Sequence, residues 1–304
     1  MAENSGTGGT GEDAFLAIDW GTTNRRVYRI EGGKVVATER DDRGVKVLAP
    51  TDYAAIIAAD RRRFGDLPVL IAGMAGSTIG WCDVPYAAAP AGLPDLVANI
   101  RRMEGRIAIV PGVSIRGEGA SGARADVMRG EEVQLLGAAV SGMVLPDSLL
   151  CQPGTHCKWA MMRGGKIASF TTAITGELFA LLRGGSVLSA FLGSEVTPDA
   201  AFVRGVHEGA RRDVAASLFS VRAASVLGDL PEADAASFCS GILLGSDVSV
   251  RLEESPGETV FILSDPALGG LYRAAIEALG GSAVLIDSHE AFVAGITAIR
   301  KLWV

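Results

Sequence analysis

The feature that most constrains the fold of this chain is an internal repeat. The segment AIDWGTTNRRVYRIEGGKVVATE, which starts at Ala17, aligns with LCQPGTHCKWAMMRGGKIASFTT, which starts at Leu150, when one gap is allowed. Each segment reads as a strand, a Gly-Thr turn, a basic residue, a second strand, a Gly-Gly corner followed by Lys, and a third strand. Gly-Gly hairpins are common, so a chance similarity is the alternative interpretation. A duplication predicts two α/β units built on one plan.

The rest of the chain supports two such units. Strand-length apolar runs alternate with amphipathic helical stretches in both halves of the 304 residues, which is typical of α/β layers. One predicted helix covers PDLVANIRRM, and another covers AAFVRGVHEGARRDVAASLFSVR. We predict a disordered N-terminus over residues 1–12, an N-terminal domain over 13–145 and a C-terminal domain over 146–304, with a cleft between the domains. The last helix is predicted to pack back on the first domain.

Composition and targeting signals exclude several classes of function. The chain has 28 Lys and Arg against 35 Asp and Glu, a formal net charge of −7, and no block of like charges, so we expect no nucleic-acid partner. Its apolar runs are far shorter than the roughly 20 residues that span a bilayer. The first dozen residues lack the pattern of a signal peptide, and the four cysteines have no C-x-x-C spacing. We therefore predict a cytoplasmic protein with reduced thiols and no membrane partner; a homodimer is left open.

Two Gly-Thr turns that face each other across a cleft suit a polyphosphate ligand. Backbone N–H groups and hydroxyls grip phosphate oxygens without a large positive charge, and glycine lets the backbone approach them closely. Asp19, at the end of the first strand, can hold Mg²⁺ through water and so neutralise a transferring phosphate. For the threonines the alternative is a local bond that stabilises the turn. The predicted phosphate-binding residues are Gly21, Thr22, Thr23, Gly154, Thr155, His156 and Lys158.

Six segments in order resemble the signatures of the 2-dehydro-3-deoxygalactonokinase family, a branch of the actin-like ATPase and sugar kinase superfamily. They are IDWGTTNRR, AGMAGSTIGWCDVPYAAAPA, DVMRGEEVQLLGA, PGTHCKW, TGELFALLRGGSVL and SGILLGSD. The resemblance implies two duplicated ribonuclease-H-like domains that close on ATP and Mg²⁺. It also implies phosphorylation of the terminal 6-hydroxyl of 2-dehydro-3-deoxy-D-galactonate, a small sugar acid, in galactonate breakdown.

Asp126 is the candidate general base. It precedes the amphipathic stretch VMRGEEVQLLGAAV, and sugar kinases of the superfamily place a catalytic Asp at a helix start beside the cleft. The alternative is that Asp126 only caps that helix.

Other residues are predicted to bind the sugar acid or the nucleotide. Arg129 is a candidate clamp for a carboxylate, with a salt bridge to Glu131, Glu132 or Asp126 as the alternative. Trp81 and Tyr86 suit the wall of a sugar-acid site or, equally, a domain core. Alternation along the strand predicts that one of Arg25 and Arg26 faces the cleft and the other is solvated. The substrate-binding candidates are Asn24, Arg26, Gly73, Met74, Trp81, Tyr86 and Arg129, and the further nucleotide-binding candidates are Gly176 and Gly269.

Three competing functions stay open at this point. A cysteine hydrolase built on His156 and Cys157 is disfavoured because neighbouring strand residues point to opposite faces. A non-enzymatic ATP-binding regulator of the same superfamily would be expected to carry an added interaction domain. A kinase for a related acid, such as 2-dehydro-3-deoxygluconate, differs only in hydroxyl stereochemistry, which the sequence does not reveal.

Overall fold

The computed structural model describes residues 13–117 and 124–303. The predicted disordered N-terminus lies outside the described residues. The first half contains β1 (Phe15–Trp20), β2 (Arg25–Glu31), β3 (Lys34–Asp41), α1 (Asp52–Phe64), β4 (Val69–Gly73), β5 (Ala87–Ala88), α2 (Leu93–Ala98), β6 (Arg101–Met103), β7 (Ile107–Ile109), β8 (Val113–Ile115), β9 (Asp126–Met128) and α3 (Glu131–Val140). The second half contains β10 (Ser148–Gln152), β11 (Cys157–Arg163), β12 (Lys166–Ala173), α4 (Thr175–Gly185), α5 (Ala200–Gly209), α6 (Val214–Leu227), α7 (Glu232–Glu254), β13 (Thr259–Ser264), α8 (Pro266–Ala278), β14 (Ser282–Asp287) and α9 (Ser288–Trp303). None of these helices combines the length and the apolar character that a bilayer crossing requires.

Two mixed sheets repeat one strand order. The first runs β3-β2-β1-β4-β7-β6 and the second runs β12-β11-β10-β13-β14. In each sheet the opening three strands pair antiparallel, and the next strands join them in parallel. The register of the hairpin shifts at the same place in both sheets, just before the Gly-Gly corner. All four corner glycines have φ between 54° and 78°, as two-residue turns of this hand require. The predicted duplication is therefore confirmed.

Two helix predictions were wrong. The stretch PDLVANIRRM forms α2 only as far as Ala98, and its last residues form β6, which pairs antiparallel with β7 as an extra edge strand. The stretch AAFVRGVHEGARRDVAASLFSVR divides into α5 and α6, with Arg212 at φ 63° in the connection. In both stretches the helical spacing of apolar residues continues through a point where the chain changes direction. That change of direction is imposed by tertiary packing, which the local spacing does not record.

A three-stranded sheet, β5-β8-β9, is added to the first domain; β5 precedes α2 in the chain, and β8 and β9 lie between β7 and α3. Strand β8 pairs parallel with β5 and antiparallel with β9. The addition places Asp126 on β9, opposite Ile115 of β8. Residues between these two strands, 118–123, are not among the described ones.

The two domains meet where α3 and α9 cross. A Cβ atom on Gly137 of α3 would lie 1.9 Å from the carbonyl oxygen of Ala291, and one on Gly295 of α9 would lie 2.0 Å from that of Val133. Such distances leave no room for a side chain, so the two backbones are in direct contact. The last helix also packs against α2, and its apolar side chains join a core that contains residues of both sheets. The contacts of Gly137 and Gly295 are reciprocal, which indicates an approximate two-fold axis between the domains.

Helices α5 and α7 make a second contact of this kind inside the C-terminal domain. Each helix contributes two glycines spaced four apart: Gly205 and Gly209 on α5, and Gly241 and Gly245 on α7. A Cβ atom on any of the four would lie 2.0 to 2.2 Å from a carbonyl oxygen of the facing helix. Spacing of four residues keeps both glycines on one helix face, so the helices approach along that face.

The expectation that one of Arg25 and Arg26 faces the cleft and the other is solvated was wrong for Arg25. Arg25 is buried on the α1 side of the first sheet, where its guanidinium pairs with Asp41 and Asp60. Burial alone would raise the pKa of Asp41, but hydrogen bonds from Arg25 and Arg43 outweigh it and lower that pKa to about 2. A buried arginine is tolerated because two carboxylates satisfy its charge and its N–H groups. Alternation therefore leaves Arg26 on the opposite face, toward the cleft.

Candidate active site

The first Gly-Thr turn joins β1 to β2 and is braced from behind. The carbonyl oxygens of Gly21, Thr22 and Thr23 accept hydrogen bonds from the N–H groups of Val45, Lys46 and Gly44. These bonds direct the carbonyls into the protein. The opposite side of the turn, with its N–H groups and threonine hydroxyls, is left for a ligand that accepts hydrogen bonds. A small pocket of about 200 Å³ lies there, lined by Asp19, Gly21, Thr22, Thr23, Asn24, Arg25, Arg26 and Arg40.

Asp19 stands beside this turn on the cleft face of the sheet. Burial raises its pKa to about 6, the charge of Arg26 opposes that rise, and the charge of Glu131 adds to it. Arg26 lies directly across the strand pair from Asp19. A desolvated carboxylate with a second carboxylate nearby suits a divalent cation, whose charge would relieve both. No group of three or more His, Cys, Asp or Glu side chains in residues 13–117 and 124–303 is arranged to hold a metal ion.

The second Gly-Thr turn joins β10 to β11 and is held by the start of α4. The N–H group of Glu177 donates to the carbonyl oxygen of Thr155 at 2.9 Å, and the Glu177 carboxylate lies 2.8 Å from Nε2 of His156. A Cβ atom on Gly176 would lie 2.4 Å from the carbonyl oxygen of Gly154. The glycine predicted for close approach to nucleotide therefore makes its close approach to the phosphate turn itself.

Two contacts between the domains occupy matching positions about the two-fold axis. Lys158 of β11 reaches Glu131, the first residue of α3, with 3.4 Å between Nζ and Oε1. Arg26 of β2 reaches His289 near the start of α9. Glu131 and His289 each lie six residues before the crossing glycine of their helix, Gly137 or Gly295. The duplicated plan therefore places one basic residue of each sheet against the helix start of the other domain.

Asp126 does not cap a helix. It lies on β9, five residues before the first residue of α3, and the residue that precedes that helix is Gly130. Its Oδ2 accepts the N–H of Thr172 at 2.6 Å, and its Oδ1 accepts the Thr172 hydroxyl at 2.6 Å and the N–H of Val127 at 2.7 Å. Thr172 belongs to β12 of the second domain and pairs with Lys158. The Asp126 carboxylate thus bridges the domains beside the Lys158 contact.

Arg129 is buried and lacks the predicted alternative of a salt bridge. Its Nη2 donates to the carbonyl oxygen of Val84 at 2.7 Å, while Nε and Nη1 are buried without any hydrogen-bond partner in the described part of the chain. The ring of Tyr86 covers the guanidinium at 4.2 Å. The Glu131 carboxylate accepts from the backbone N–H of Arg129 rather than from its side chain. A buried guanidinium with two unsatisfied nitrogens is costly, and an anion would satisfy it.

Several predicted residues lie elsewhere. Trp81 stacks on Tyr53 and packs with Met74 in the core on the α1 side of the first sheet, across the sheet from Asp19. Trp81 also lines a cavity of about 880 Å³ between α1 and the β6–β7 edge. Gly269 of α8 faces the second sheet, where a Cβ atom would lie 2.7 Å from Leu285. Glycine at this position therefore allows α8 to pack closely on the sheet. These three residues are not brought to the cleft.

The remaining predicted residues lie closer to the cleft. Asn24 is exposed at the tip of the first turn, and its amide donates to Thr23. Gly73 ends β4 with φ 94°, beneath the start of α3.

Sequence reasoning missed three polar residues of the cleft. Glu131 was treated only as a partner for Arg129, and neither Gln152 nor Thr172 was singled out. Gln152 is buried at the end of β10, donates to Gln134 of α3, and keeps an unpaired Oε1. Glu131 carried a signal in the sequence, because it follows a glycine, Gly130, just before an apolar-periodic stretch, and glycine is accepted at the position that precedes a helix.

The sequence profile of the 2-keto-3-deoxy-galactonokinase family matches residues 19–299. The chain belongs to this family. Members are sugar-acid kinases, phosphotransferases that use ATP, so the predicted enzyme class is confirmed. The 2-dehydro-3-deoxygalactonokinase of Escherichia coli K12 is 34% identical over 289 residues, which cover 94% of this chain and 97% of that protein.

Solved structures agree with the family and the fold. A Sinorhizobium meliloti protein that carries a provisional 2-dehydro-3-deoxygalactonokinase name has 32% identity and a TM-score of 0.85, with 95% of this chain and 99% of that chain covered. The activator of 2-hydroxyisocaproyl-CoA dehydratase from Clostridium difficile, solved with ADPNP, has 10% identity and a TM-score of 0.51, with 95% of each chain covered. At that identity the likeness concerns the fold alone. The predicted architecture, two duplicated domains of the actin-like ATPase type, is confirmed.

The structure also excludes the cysteine hydrolase built on His156 and Cys157. Cys157 is fully buried behind the second turn, and its sulfur lies 3.6 Å from that of Cys151. His156 is exposed on the other side of the turn, against Glu177. A nucleophile must be reachable and bonded to its base, and this pair is neither.

Proposed function

We propose that this protein transfers the γ-phosphoryl group of ATP to the terminal 6-hydroxyl of 2-dehydro-3-deoxy-D-galactonate. Family membership supports the sugar-acid class, and the 34% identical Escherichia coli relative supports this particular acid. The observation that carries the proposal is Arg129, a buried guanidinium against the loop that follows β4, with two nitrogens that have no hydrogen-bond partner among the described residues. A substrate carboxylate would supply the missing acceptors, and a charge-assisted pair of this kind fixes orientation as well as affinity.

The two phosphate turns would hold the triphosphate between the domains. Thr22 and Thr23 offer N–H groups and hydroxyls from the first domain, whereas the N–H of Gly21 already donates to the carbonyl oxygen of Asn24. Gly154 and Thr155 offer N–H groups and a hydroxyl from the second domain. Magnesium bound near Asp19 would neutralise charge on the phosphates, through water rather than in a cage of protein ligands. In this arrangement the protein contributes alignment and charge neutralisation, which supply most of the catalysis in phosphoryl transfer.

The domain division is part of this proposal. The connection between α3 and β10, residues 141–147, contains the boundary predicted at 145 and 146. With that boundary, Asp19, Glu131 and Arg129 belong to the acceptor side, and Lys158 with the second turn belongs to the nucleotide side. Asp126, the base predicted from the sequence, lies on the acceptor side as well.

A coupled assay of ADP release tests the proposal. The purified protein, with ATP and Mg²⁺, is offered 2-dehydro-3-deoxy-D-galactonate, its gluconate epimer, and the matching neutral polyol without a carboxylate. We expect turnover of the galactonate compound, at least tenfold lower kcat/KM for the epimer, and none for the polyol. A preference for the epimer would move the assignment to the related kinase. Absence of turnover on every acid would contradict a kinase function and favour an ATP-binding regulator.

Arg129 gives the same assay a specific variant. Arg129→Met should raise KM for the sugar acid by roughly 10- to 100-fold, because a charged hydrogen-bonding group contributes about 1.5–3 kcal/mol. The KM for ATP should change less than threefold. Arg62→Met, on the exposed side of α1, is the matched control and should leave both constants unchanged. A larger effect of Arg129→Met on ATP than on the acid would show that the guanidinium does not serve the acid.

A further inference from the structure

We propose that Glu131 is the carboxylate that takes the proton of the acceptor hydroxyl, and that Asp126 is a residue that joins the two domains. The inference rests on the proposed kinase function and adds the identity of its base. The supporting observations are the hydrogen bonds and ion pairs of the three carboxylates near the start of α3, those of Asp126, Glu131 and Glu132.

Asp126 has its carboxylate occupied by the second domain. Three hydrogen bonds of 2.6 to 2.7 Å reach its two oxygens, and two of them come from Thr172 of β12. The two bonds from Thr172, one from its N–H and one from its hydroxyl, form a bidentate contact. A base must accept a hydrogen bond from the alcohol before it accepts the proton. The alcohol would have to share Oδ2 of Asp126 with the N–H of Thr172, because Oδ1 already accepts two hydrogen bonds and a carboxylate has only about four acceptor positions.

Glu131 has one oxygen, Oε1, that is held only by a loose contact. Its Oε2 accepts the backbone N–H of Arg129 at 3.0 Å, which fixes the side chain. Its Oε1 points to the Nζ of Lys158 at 3.4 Å, an ion pair looser than a good hydrogen bond. The Glu131 side chain is 26% exposed, whereas the side chain of Lys158 is 5% exposed. A partly exposed side chain with a loosely held oxygen can accept a hydrogen bond from an alcohol.

The backbone explains why Glu131 projects where it does. Gly130, at φ 106°, turns the chain from β9 into α3, and a Cβ atom on Gly130 would lie 3.2 Å from the Cα of Gly73. The helix therefore begins directly against the end of β4, next to β1 and its terminal Asp19. Asp19 is close enough to feel the charge of Glu131. The candidate base, the candidate metal position and the cation of the other domain converge on one place.

Two further observations agree with this placement. Glu132 is fully buried, and both its oxygens face the N–H of Gly130, so it is withdrawn from the cleft. Gln152, which ends β10 beside Lys158, holds a buried and unpaired Oε1 at the same interface. An unsatisfied acceptor there would receive a hydrogen bond from a hydroxyl or from water.

In the phosphoryl-transfer step, the acceptor hydroxyl oxygen attacks the γ-phosphorus, and a bond forms between them. The bond from the γ-phosphorus to the β,γ-bridging oxygen breaks, and its electron pair leaves with ADP. The hydroxyl proton passes to Oε1 of Glu131, which later releases it to solvent. Because the transition state is loose, the carboxylate mainly orients the alcohol and takes the proton late.

Three isosteric variants of the full chain test the inference: Glu131→Gln, Asp126→Asn and Glu132→Gln. The readouts are kcat with the sugar acid, the Kd of a non-hydrolysable ATP analogue by calorimetry, and the melting temperature. We expect Glu131→Gln to lower kcat by at least about 100-fold, within the range typical of a general base, with Kd changed less than threefold. Asp126→Asn should lower the melting temperature and keep kcat within about tenfold. Glu132→Gln should keep kcat within about twofold.

The opposite pattern would overturn the inference. If Asp126→Asn loses 100-fold in kcat while Glu131→Gln stays near wild type, the sequence-predicted base is right and Glu131 is not the base. Glu131→Asp covers the case in which Glu131→Gln is unstable, since it should keep the fold and recover at most about a tenth of kcat. Full activity of Glu131→Asp together with full activity of Glu131→Gln would also refute the role. An inactive wild-type protein would overturn the kinase function and this inference with it, whereas an active wild type isolates the base.

Discussion

At the scale of single residues, Gly176 shows how an absent side chain shapes a binding site. It lies in the first turn of α4, and its Cα lies against Gly154 and Thr155 of the second phosphate turn. Gly176→Val should displace that turn and raise KM for ATP at least tenfold, while KM for the sugar acid changes little. Gly184→Val, on the same helix with open space around it, is the matched control. Steady-state kinetics with each substrate varied would decide, and an equal rise of both constants would argue for general damage.

Glu132 gives a second residue-scale prediction, in the pH dependence of stability. Burial raises its pKa to about 8, and the charge of Glu131 contributes to the rise. A carboxyl group whose pKa is higher in the folded state supports folding below about pH 4.5, and that support is lost as the pH rises toward 8. Glu132→Gln carries no such dependence, so its stability relative to wild type should grow by on the order of 1 kcal/mol per pH unit from pH 5 to 8.

Urea unfolding at pH 5, 6.5 and 8 measures this difference. The exposed Glu258 provides the control variant, Glu258→Gln, which should follow wild type at each pH. Parallel curves for wild type and Glu132→Gln would mean that the buried carboxyl titrates as it does in water.

At the scale of elements, the contact between α5 and α7 depends on four glycines. Gly241→Ala would place its Cβ 2.2 Å from the carbonyl oxygen of Phe202 and 2.9 Å from the N–H of Val206, both rigid backbone groups. The helices must separate, and we expect a loss of about 3 kcal/mol in the free energy of unfolding, the upper end of typical overpacking costs. Gly270→Ala, in α8 with open space, should instead stabilise by up to about 1 kcal/mol. Denaturant midpoints compare the two, and a loss below 1 kcal/mol for Gly241→Ala would show that the helices adapt.

Elements also show what the sequence could and could not predict. The hairpins β2–β3 and β11–β12 were predictable because a Gly-Gly corner between alternating strands dictates a local structure. Edge strand β6 was not predictable, because its pairing with β7 is a tertiary interaction that the local spacing of apolar residues does not record. The start of α3 was misplaced for a similar reason: Asp126 has the chemistry of a helix cap, but β9 pairs with β8 and moves the helix start to Glu131. The turns of the site were therefore predictable, whereas the carboxylate facing the cleft required the fold.

At the scale of the whole molecule, the duplication sets the chemistry as well as the architecture. Equivalent strands end at equivalent turns, so one plan supplies both halves of a polyphosphate grip. The equivalence is broken at the contacts between the domains, where Lys158 meets a carboxylate on α3 and Arg26 meets His289 on α9. Sequence alone revealed the repeat, but the reciprocal contacts between the halves lie far apart in the chain and became visible only in three dimensions.

The position of α9 has a consequence for how the protein is made. Phe292, Ile296 and Ile299 of this helix complete a core that the first sheet shares. A ribosome adding about 5–20 residues per second needs on the order of 10 to 30 s to synthesise the roughly 150 residues between α3 and α9. During that interval the nascent first domain carries an uncovered apolar groove where α9 will bind. Its folding cannot finish ahead of the second domain, and the two halves reach their native state together, after the closing helix has left the exit tunnel.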